Sequence, residues 1–176
     1  MPKVNPYIIF DFETGGLDSK KHAATEIAML CIDGSTLKEV GRYESYISPY
    51  IKEYDKAALD YTGITMELLN REGKPLKEVV TEIVTWVKEM RSQLDCTSYT
   101  KKPILVGHNP LFDIGFLQQI FKEAKQDPTT LFDGKKDFDG NYQYNLVDTI
   151  VESKKSWGDD DVMSSFNLTA CVNKAG

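Results

Sequence analysis

The sequence predicts an α/β domain built on a sheet of mixed strand direction. Three β-type segments lie close together near the N-terminus, a strongly periodic helix follows them, and one more strand and helix come next. Elements in this order are typical of a sheet that is covered by helices. The chain of 176 residues has the length of one domain and contains no repeat or linker-like segment, so residues 1–176 are predicted to form a single domain.

The first three strands are predicted from short apolar and β-branched runs. Residues 7–13 (YIIFDFE) have the composition of a buried strand, which the following Thr-Gly-Gly ends. Residues 25–32 and 42–47 form two further strands, joined around Asp33-Gly34, a dipeptide typical of hairpin turns. These three segments are therefore expected to pair as consecutive antiparallel strands.

The helices are predicted from apolar residues that recur at intervals of three and four. Short helical pieces fall at 57–61 and 66–69, and a long helix follows at 76–94. Its apolar positions are Leu76, Val79, Val80, Ile83, Val84, Val87, Met90 and Leu94. Residues 103–107 (PILVG) form a fourth strand and 113–126 a second long helix, and both long helices are expected to pack on the sheet.

The last quarter of the chain is less regular. Residues 127–145 are rich in Asp, Gly, Lys and Tyr and contain two Asp-Gly pairs, which indicates a hairpin. Residues 146–150 lead into a helix with Asp148 as its N-cap, and a further helix begins within 167–174. The aspartates at 159–161 are interpreted as a solvated loop.

The charge of the chain excludes a partner that is held mainly by a broad basic surface. The sequence has 21 Lys and Arg against 27 Asp and Glu, and the formal net charge is −6. Binding that depends on many phosphate contacts requires an excess of Lys and Arg on one surface. Any nucleic acid must therefore be held in another way.

The cysteines and the N-terminus indicate a cytoplasmic protein outside the membrane. Cys31, Cys96 and Cys171 are odd in number and far apart, so neither a disulfide framework nor a zinc knuckle is predicted. No secretory leader and no apolar run of membrane-spanning length is recognisable.

Two clusters of polar residues lie at predicted strand ends. In Asp11-Phe12-Glu13 the alternation of side chains puts both carboxylates on one face, with Cα atoms about 6.5 Å apart. Such carboxylates repel each other unless a hard divalent cation neutralises them. For these residues alone, a solvated strand end is an equally acceptable interpretation.

The second cluster, residues 107–113 (GHNPLFD), joins the fourth strand to the following helix. It places Asp113 near the first turn of that helix, where a carboxylate can simply compensate the helix dipole. Both clusters nevertheless lie at strand ends of an α/β sheet, where such folds build their functional sites.

Together the clusters resemble the DEDD 3′-5′ exonucleases, the group that contains the proofreading epsilon subunit of bacterial DNA polymerase III, RNase T and oligoribonuclease. Residues 9–15 (IFDFETG) match the first exonuclease motif, and 107–113 match the second. Residues 62–65 resemble the H-G-I-T segment of the family, with Thr62 in the place of His, and 146–153 resemble its D-T-x-x-x-A segment. The resemblance covers essentially the whole chain. It implies a ribonuclease-H-like mixed five-stranded sheet, three antiparallel strands and then parallel strands, flanked by helices.

The resemblance also implies the reaction, which is hydrolysis of the terminal phosphodiester of a nucleic-acid 3′ end. Single-stranded DNA is favoured over RNA, with proofreading or repair as the role and a polymerase subunit as a candidate partner. Two Mg²⁺ or Mn²⁺ ions, about 3.5–4 Å apart, activate a water and stabilise the leaving oxygen. By position, Asp11 bridges both ions, Glu13 holds the ion on the nucleophile side, and Asp113 holds the other.

Six residues are implied to contact the terminal nucleotide, and stacking of apolar side chains on its bases is tolerant of base identity. They are Thr14, Gly15, Leu17, Ile64, Asn109 and Phe112. Leu17 and Phe112 are equally acceptable as ordinary apolar residues. His108 is expected to be structural, because the catalytic His of the family belongs to a later motif, and His22 is expected to be solvated in a Lys-rich loop.

The sequence departs from the family at the third exonuclease motif, which supplies a fourth carboxylate together with a His or a Tyr. That motif is not found, and the sequence stops at Gly176 after a helix of the kind that precedes it, so the domain is expected to be truncated at its C-terminal end. Weak occupancy of the nucleophile-side metal position, reduced activity and self-association through uncovered apolar surface are the expected consequences. The alternative function is a catalytically weak or silent module of the same fold, which binds a nucleic-acid end or a protein.

Overall fold

The computed structural model describes residues 4–98, 101–157 and 165–175. The strands are β1 (Tyr7–Thr14), β2 (Ala24–Ile32), β3 (Glu39–Tyr46), β4 (Ile104–Gly107), β5 (Gly134–Lys136), β6 (Tyr142–Tyr144) and β7 (Leu146–Asp148). Five of them form one sheet in the order β3-β2-β1-β4-β7, and β5 pairs with β6 in the predicted separate hairpin. The first three strands are antiparallel, whereas β4 is parallel to β1 and β7 to β4. The predicted mixed five-stranded sheet is confirmed.

The helices agree with the periodicity of the sequence, although α2 ends three residues after its predicted end and both ends of α4 lie three residues before their predicted positions. They are α1 (Lys56–Thr62), α2 (Met66–Glu72), α3 (Leu76–Gln93), α4 (Pro110–Glu123), α5 (Thr149–Trp157) and α6 (Leu168–Ala175). Helix α4 begins three residues before the predicted position, because Pro110 suits the first turn of a helix, where no N–H partner is needed. No helix in the described ranges is long and apolar enough to cross a membrane. The aspartates at 159–161 lie outside the described residues.

The hydrophobic core lies on one face of the sheet. Alternate residues of β1 point into it, and Ile8, Phe10 and Phe12 are at most 5% exposed. Apolar side chains of α3 and α4 complete the same cluster, among them Ile83 and Leu117. The packing of the sheet against α3 and α4 therefore holds β1, and with it the polar residues of that strand, in place.

The opposite face of the sheet is more open. Ile9 is 40% exposed on this face, and its neighbours Ala28 and Leu30 on β2 are exposed and half-buried. Together with Asp11 and Arg42 they line a cavity of about 230 Å³. Because side chains alternate along a strand, Asp11 and Glu13 share this face with Ile9.

The connection between β2 and β3 is longer than the predicted Asp-Gly hairpin. Asp33 closes it by accepting hydrogen bonds from Ser35 N at 2.8 Å and from Thr36 Oγ1 at 2.8 Å. Gly34 is required for space, since a Cβ atom there would overlap the carbonyl oxygen of Asn5. A loop closed by the side chain of Asp33 thus replaces the predicted tight turn. Glycine is needed at position 34 because the segment before β1 contacts it closely.

Replacing Ile83 with Ala is expected to lower the free energy of unfolding by about 2–5 kcal/mol, because this fully buried side chain of α3 would leave a cavity against the sheet. Urea unfolding followed by circular dichroism measures the change. Lys88→Ala, at an exposed position of the same helix, is the control and should change stability by no more than about 0.5 kcal/mol. Equal stability of the two variants would contradict the packing of α3 on the sheet.

Candidate active site

The end of β1 presents two carboxylates on the open face of the sheet. Asp11 is exposed, Glu13 is half-buried, and Phe12 between them points into the core with 5% exposure. Asp11 lies opposite Ala28 on β2, and Glu13 lies opposite Glu26. The small side chain of Ala28 leaves Asp11 accessible, so the carboxylate pair can be approached from solvent.

Asp113 joins this pair from the first turn of α4. The chain turns from β4 into α4 at Asn109, which has a left-handed backbone conformation with φ of 62°. Strand β4 pairs with β1 only as far as Ile9, and beyond that point Phe12 N donates a 3.0 Å hydrogen bond to Asp113 Oδ1. Asp113 is 4% exposed. The backbone of Phe12 therefore fixes a third carboxylate beside Asp11 and Glu13.

Burial raises the pKa of all three carboxyl groups, and the charge of Asp11 adds to this effect at Glu13 and Asp113. Burial and the charge of Asp11 raise the pKa of Asp113 to about 7, although the hydrogen bond from Phe12 N acts in the opposite direction. Burial raises the pKa of Asp11, with a smaller opposing effect from His108. Burial and the charge of Asp11 also raise the pKa of Glu13. Ionisation of these carboxyl groups is therefore unfavourable in the metal-free protein, and a bound cation would favour it.

Asp148 fixes the turn that leads to Asp113. Its Oδ1 accepts hydrogen bonds from Asn109 N at 3.2 Å and from Ile150 N at 2.9 Å. The second contact is the N-cap of α5 that the sequence predicts. One carboxylate therefore ties the junction of β7 and α5 to the left-handed residue before α4.

The adjacent Thr149 fixes His108 in the same loop. Thr149 Oγ1 donates to Gly107 O at 3.2 Å and lies 2.9 Å from His108 Nδ1. Because the hydroxyl hydrogen is used on Gly107, the hydrogen-bond network assigns the other hydrogen to His108 Nδ1. These contacts fix the ring in the loop, and the structural role expected for His108 stays a prediction.

Replacing Asp148 with Ala is expected to destabilise the protein by about 1–2 kcal/mol, because α5 loses its cap and Asn109 N loses its acceptor. Asp148→Asn keeps an acceptor oxygen and should cost less than half as much. Urea unfolding of the two variants measures the difference, and an Asn variant as unstable as the Ala variant would show that the charge, not the hydrogen bonds, is what matters.

The loop after β1 carries three of the residues implied to contact a nucleotide. Thr14 is buried and its hydroxyl donates to Gly16 O at 2.8 Å. Gly15 is held on both sides, since its N–H donates to Ala23 O at 2.8 Å and its carbonyl accepts from Asp55 N at 2.7 Å. Leu17 is 85% exposed. The backbone of this loop is therefore fixed by hydrogen bonds, and Leu17 points into solvent. Thr14 is buried and stabilises the loop through its hydrogen bond to Gly16.

The other three residues occupy two neighbouring segments. Ile64 is only 4% exposed and lines a groove between α1 and α2 together with Tyr54. Asn109 is exposed, and Phe112 is half-buried with its ring 5.1 Å from that of Phe116. Ile64 is thus almost closed to a ligand and Phe112 is only partly accessible, and their contact with a nucleotide stays a prediction.

Comparison with known proteins gives the family. Residues 8–169 match the family described as Exonuclease. The chain belongs to the exonuclease family. Among curated relatives it is 31% identical over 116 residues to DNA polymerase III PolC-type of Oceanobacillus iheyensis, covering 66% of this chain and 7% of that protein. It is 32% identical over 114 residues to ribonuclease T of Marinobacter nauticus, covering 62% of this chain and 50% of that protein.

Solved structures support the same fold at lower identity. The chain aligns with E. coli exonuclease I in complex with a 5cy-dT13 oligonucleotide at a TM-score of 0.71 and 18% identity, covering 99% of this chain and 36% of that one. The metal-free complex of E. coli exonuclease I with single-stranded DNA gives a TM-score of 0.72 at 17% identity, with coverage of 98% and 35%. The chain therefore spans half or less of the length of these relatives.

The oxygen donors of this exonuclease-family protein suit a hard divalent ion, but they do not form a closed cage. Within the described parts of the chain, no three His, Cys, Asp or Glu side chains are grouped so that they could hold a metal ion by themselves. Mg²⁺ is usually bound through one or two carboxylates, with waters and substrate phosphates completing its shell. Asp11, Glu13 and Asp113 fit that mode, in which the nucleic acid supplies part of the coordination.

In the loop after β1, the structure corrects the expectation for His22. It also shows a contact of Tyr54 with this loop that the sequence did not indicate. His22 is 7% exposed, so the prediction of a solvated histidine is wrong. Its Nε2 lies 3.1 Å from Asp55 Oδ2, 33 positions away, a contact that no local pattern could indicate. Tyr54, which sequence reasoning missed, packs its ring against Gly15, where an added Cβ would lie 3.2 Å from Tyr54 Cδ1.

Proposed function

We propose that this protein is a metal-dependent 3′-5′ exonuclease that hydrolyses the terminal phosphodiester of a nucleic-acid strand. The observation that carries the proposal is the hydrogen bond from Phe12 N to Asp113 Oδ1, which brings the carboxylate of α4 to the carboxylate pair of β1. Membership of the exonuclease family supports the reaction class. The raised pKa values of all three carboxyl groups support a cation as their common partner.

Asp11, Glu13 and Asp113 would hold two Mg²⁺ or Mn²⁺ ions. A pair of such ions, when bound, lowers the pKa of a water and stabilises the charge on the leaving oxygen. Asp11, the most exposed of the three carboxylates, would contribute to holding both ions, and Glu13 and Asp113 would each contribute to holding one of them. Asp113 ligates only as the carboxylate, so a cation must displace the proton that its raised pKa of about 7 favours, and metal binding should weaken as the pH falls below that value.

The end of the strand would be received by the loop after β1 and the first turn of α4. Leu17 and Asn109 offer exposed side chains there, and Phe112 offers a half-buried ring. Thr14 and Gly15 keep the backbone in place, and Ile64 borders the adjacent groove. Apolar contacts of this kind do not discriminate between bases, which suits an enzyme that removes any terminal nucleotide.

Single-stranded DNA is the substrate we propose, with a role in proofreading or repair. The structural likeness to exonuclease I in complexes with single-stranded DNA supports DNA, whereas the ribonuclease T relative keeps RNA as the competing substrate. The PolC-type relative supports a polymerase as partner, although the aligned region is 7% of that protein. Cys31, Cys96 and Cys171 are buried and form no disulfide bond, which suits the reducing cytoplasm.

The proposal is tested by the direction and chemistry of degradation. A DNA strand labelled at its 5′ end should shorten progressively in the presence of Mn²⁺, and a circular strand of the same sequence should stay intact. An RNA strand of equal length should be shortened at least about tenfold more slowly, since discrimination through a 2′-OH depends on one or two contacts. Cleavage of the circle, or equal loss from the 5′ end, would contradict the proposed exonuclease.

The second candidate is a module of the same fold that binds a strand end or a protein without cleaving it. The lack of a closed carboxylate cage among the described residues favours it. Tight binding of the labelled strand with no shortening in Mn²⁺ would favour this binding module over the exonuclease.

The open face of the sheet also supports the self-association that the sequence predicts. Ile9 and Leu30 leave apolar surface accessible beside Arg42. Sedimentation velocity should therefore give a sedimentation coefficient that rises with concentration, and Ile9→Lys should abolish the rise. A monomer at all concentrations would refute self-association.

A further inference from the structure

His22 is a buried polar residue that the proposed chemistry does not use. The residue is 7% exposed and lies at the end of the loop that follows Asp11-Phe12-Glu13. The backbone of residues 21–23 is bonded to the segment before α1, with Glu53 N donating to Lys21 O and Ala23 N donating to Glu53 O, both at 3.1 Å. The imidazole is therefore enclosed between this loop and the start of α1.

The first nitrogen of the ring closes the turn that follows Leu17. Asp18 N donates a 3.0 Å hydrogen bond to His22 Nδ1, and His22 N donates a 2.7 Å hydrogen bond to Asp18 O. Because Nδ1 accepts a hydrogen bond, the hydrogen-bond network assigns the hydrogen of the neutral ring to Nε2. The ring thus replaces a backbone partner inside a five-residue turn.

The second nitrogen faces Asp55. His22 Nε2 lies 3.1 Å from Asp55 Oδ2, which is close enough for electrostatic attraction although the alignment is not that of a hydrogen bond. Asp55 is the N-cap residue of α1, yet among the described residues its carboxylate accepts no N–H of that helix. Its own N–H donates to Gly15 O at 2.7 Å. Asp55 therefore links the imidazole to the backbone of Gly15.

The face of the ring is covered by Gly16. A Cβ atom at Gly16 would collide with His22 Cγ and Cδ2, and the φ of 156° at this glycine lies at the limit of the region that side chains avoid. The backbone of residue 16 therefore rests directly on the imidazole. Three independent contacts, through Asp18, Asp55 and Gly16, converge on one side chain.

We propose that His22 is a positioning residue, which holds residues 15–18 in the conformation that presents Gly15 and Leu17 to the terminal nucleotide. This inference rests on the proposed function, because it takes that loop to be the surface that receives the strand. His22 itself is enclosed and acts through Gly16, Asp18 and Asp55. Its loss should loosen the loop and leave the carboxylates of β1 and α4 in place, so binding of the strand suffers more than the chemical step.

The test compares His22→Ala and His22→Asn with wild type on a 5′-labelled DNA strand in Mn²⁺. His22→Ala should raise KM about tenfold and change kcat less than about twofold, the size expected for loss of one well-made polar contact. His22→Asn places a carbonyl oxygen near the position of Nδ1 and should restore most of the loss. Thr36→Ala, in the exposed loop between β2 and β3, is the control and should leave both constants unchanged.

A second measurement separates this inference from the proposed function. The affinity of a fluorescent DNA strand for Asp11→Asn, and for Asp11→Asn with His22→Ala, is measured by anisotropy, where no turnover is needed. A tenfold weaker affinity in the double variant supports the positioning role even when wild type cleaves nothing. Unchanged KM and affinity in a folded His22→Ala protein overturn it while the nuclease stands, and so does a loss confined to kcat. A wild type that neither cleaves nor binds a strand overturns both. Should His22→Ala fail to fold, Asp55→Ala, which removes the contact at Nε2, is measured in the same way.

Discussion

Asp113→Asn is expected to abolish nuclease activity and, in the absence of metal, to make the protein more stable. The amide keeps an oxygen that can accept the hydrogen bond from Phe12 N, so the local structure should survive. It removes a buried carboxylate whose ionisation is opposed by burial and by Asp11. At pH 8 in EDTA we expect a gain of about 1–3 kcal/mol in the free energy of unfolding. Loss of a ligand worth several kcal/mol should lower kcat/KM about a thousandfold or more.

The matched control is Asp139→Asn, which makes the same chemical change at an exposed position of the β5–β6 hairpin. It should leave both activity and stability close to those of wild type. Urea unfolding in EDTA and the initial rate of nucleotide release in Mn²⁺ provide the two readouts. An Asp113→Asn protein that is active, or inactive and also less stable than wild type, would contradict the assignment of Asp113 as a strained metal-site carboxylate.

The stability of the metal-free protein is expected to fall as pH rises from about 4 to about 8. The pKa of Asp113 is raised from 3.8 to about 7 in the folded protein, so the folded state holds this proton more tightly than the unfolded state. Its contribution is fully present below pH 3.8 and is lost as pH rises through about 7. Glu26, opposite Glu13, acts in the same direction, because burial and Glu44 raise its pKa from 4.5 to about 7.

Bound Mn²⁺ should reverse this fall in stability with rising pH. A cation binds the ionised carboxylates of the folded state, so melting temperature should rise with pH when millimolar Mn²⁺ is present. Melting curves at pH 5, 6, 7 and 8, with EDTA or with Mn²⁺ at matched ionic strength, measure the two slopes. In Asp113→Asn the slope in EDTA should be shallower and the Mn²⁺ effect smaller. Identical slopes with and without Mn²⁺ in wild type would rule out a cation site at these carboxylates.

The parts of the site that follow from local rules were predictable from the sequence. Alternation along β1 is enough to place Asp11 and Glu13 on one face and Phe12 in the core, and the structure has that arrangement. The cap of α5 by Asp148 follows from residue type and position. The order of strands and helices likewise follows from hydrophobic periodicity, which is a local signal.

The parts that depend on contacts between distant segments were not predictable in the same way. Phe12 N meets Asp113 Oδ1 across 101 positions, because β4 stops pairing with β1 at Ile9 and leaves an N–H without a strand partner. His22 directly follows two lysines in the sequence, but its ring lies against Gly16 and near Asp55. The motif resemblance groups Asp113 with Asp11 and Glu13, but it does not identify the individual hydrogen bond or the contacts around His22, which only the fold creates.

The most direct test of the proposed function is the release of mononucleotides from the 3′ end of a DNA strand by metal-depleted protein, before and after Mn²⁺ is returned. Wild type should release none in EDTA and should recover activity in proportion to the Mn²⁺ bound. Asp11→Asn should stay inactive at every Mn²⁺ concentration, and its free energy of unfolding should be no lower than that of wild type. Release of nucleotides by wild type in EDTA, or by Asp11→Asn at the wild-type rate in Mn²⁺, would contradict a metal-dependent exonuclease site at Asp11, Glu13 and Asp113.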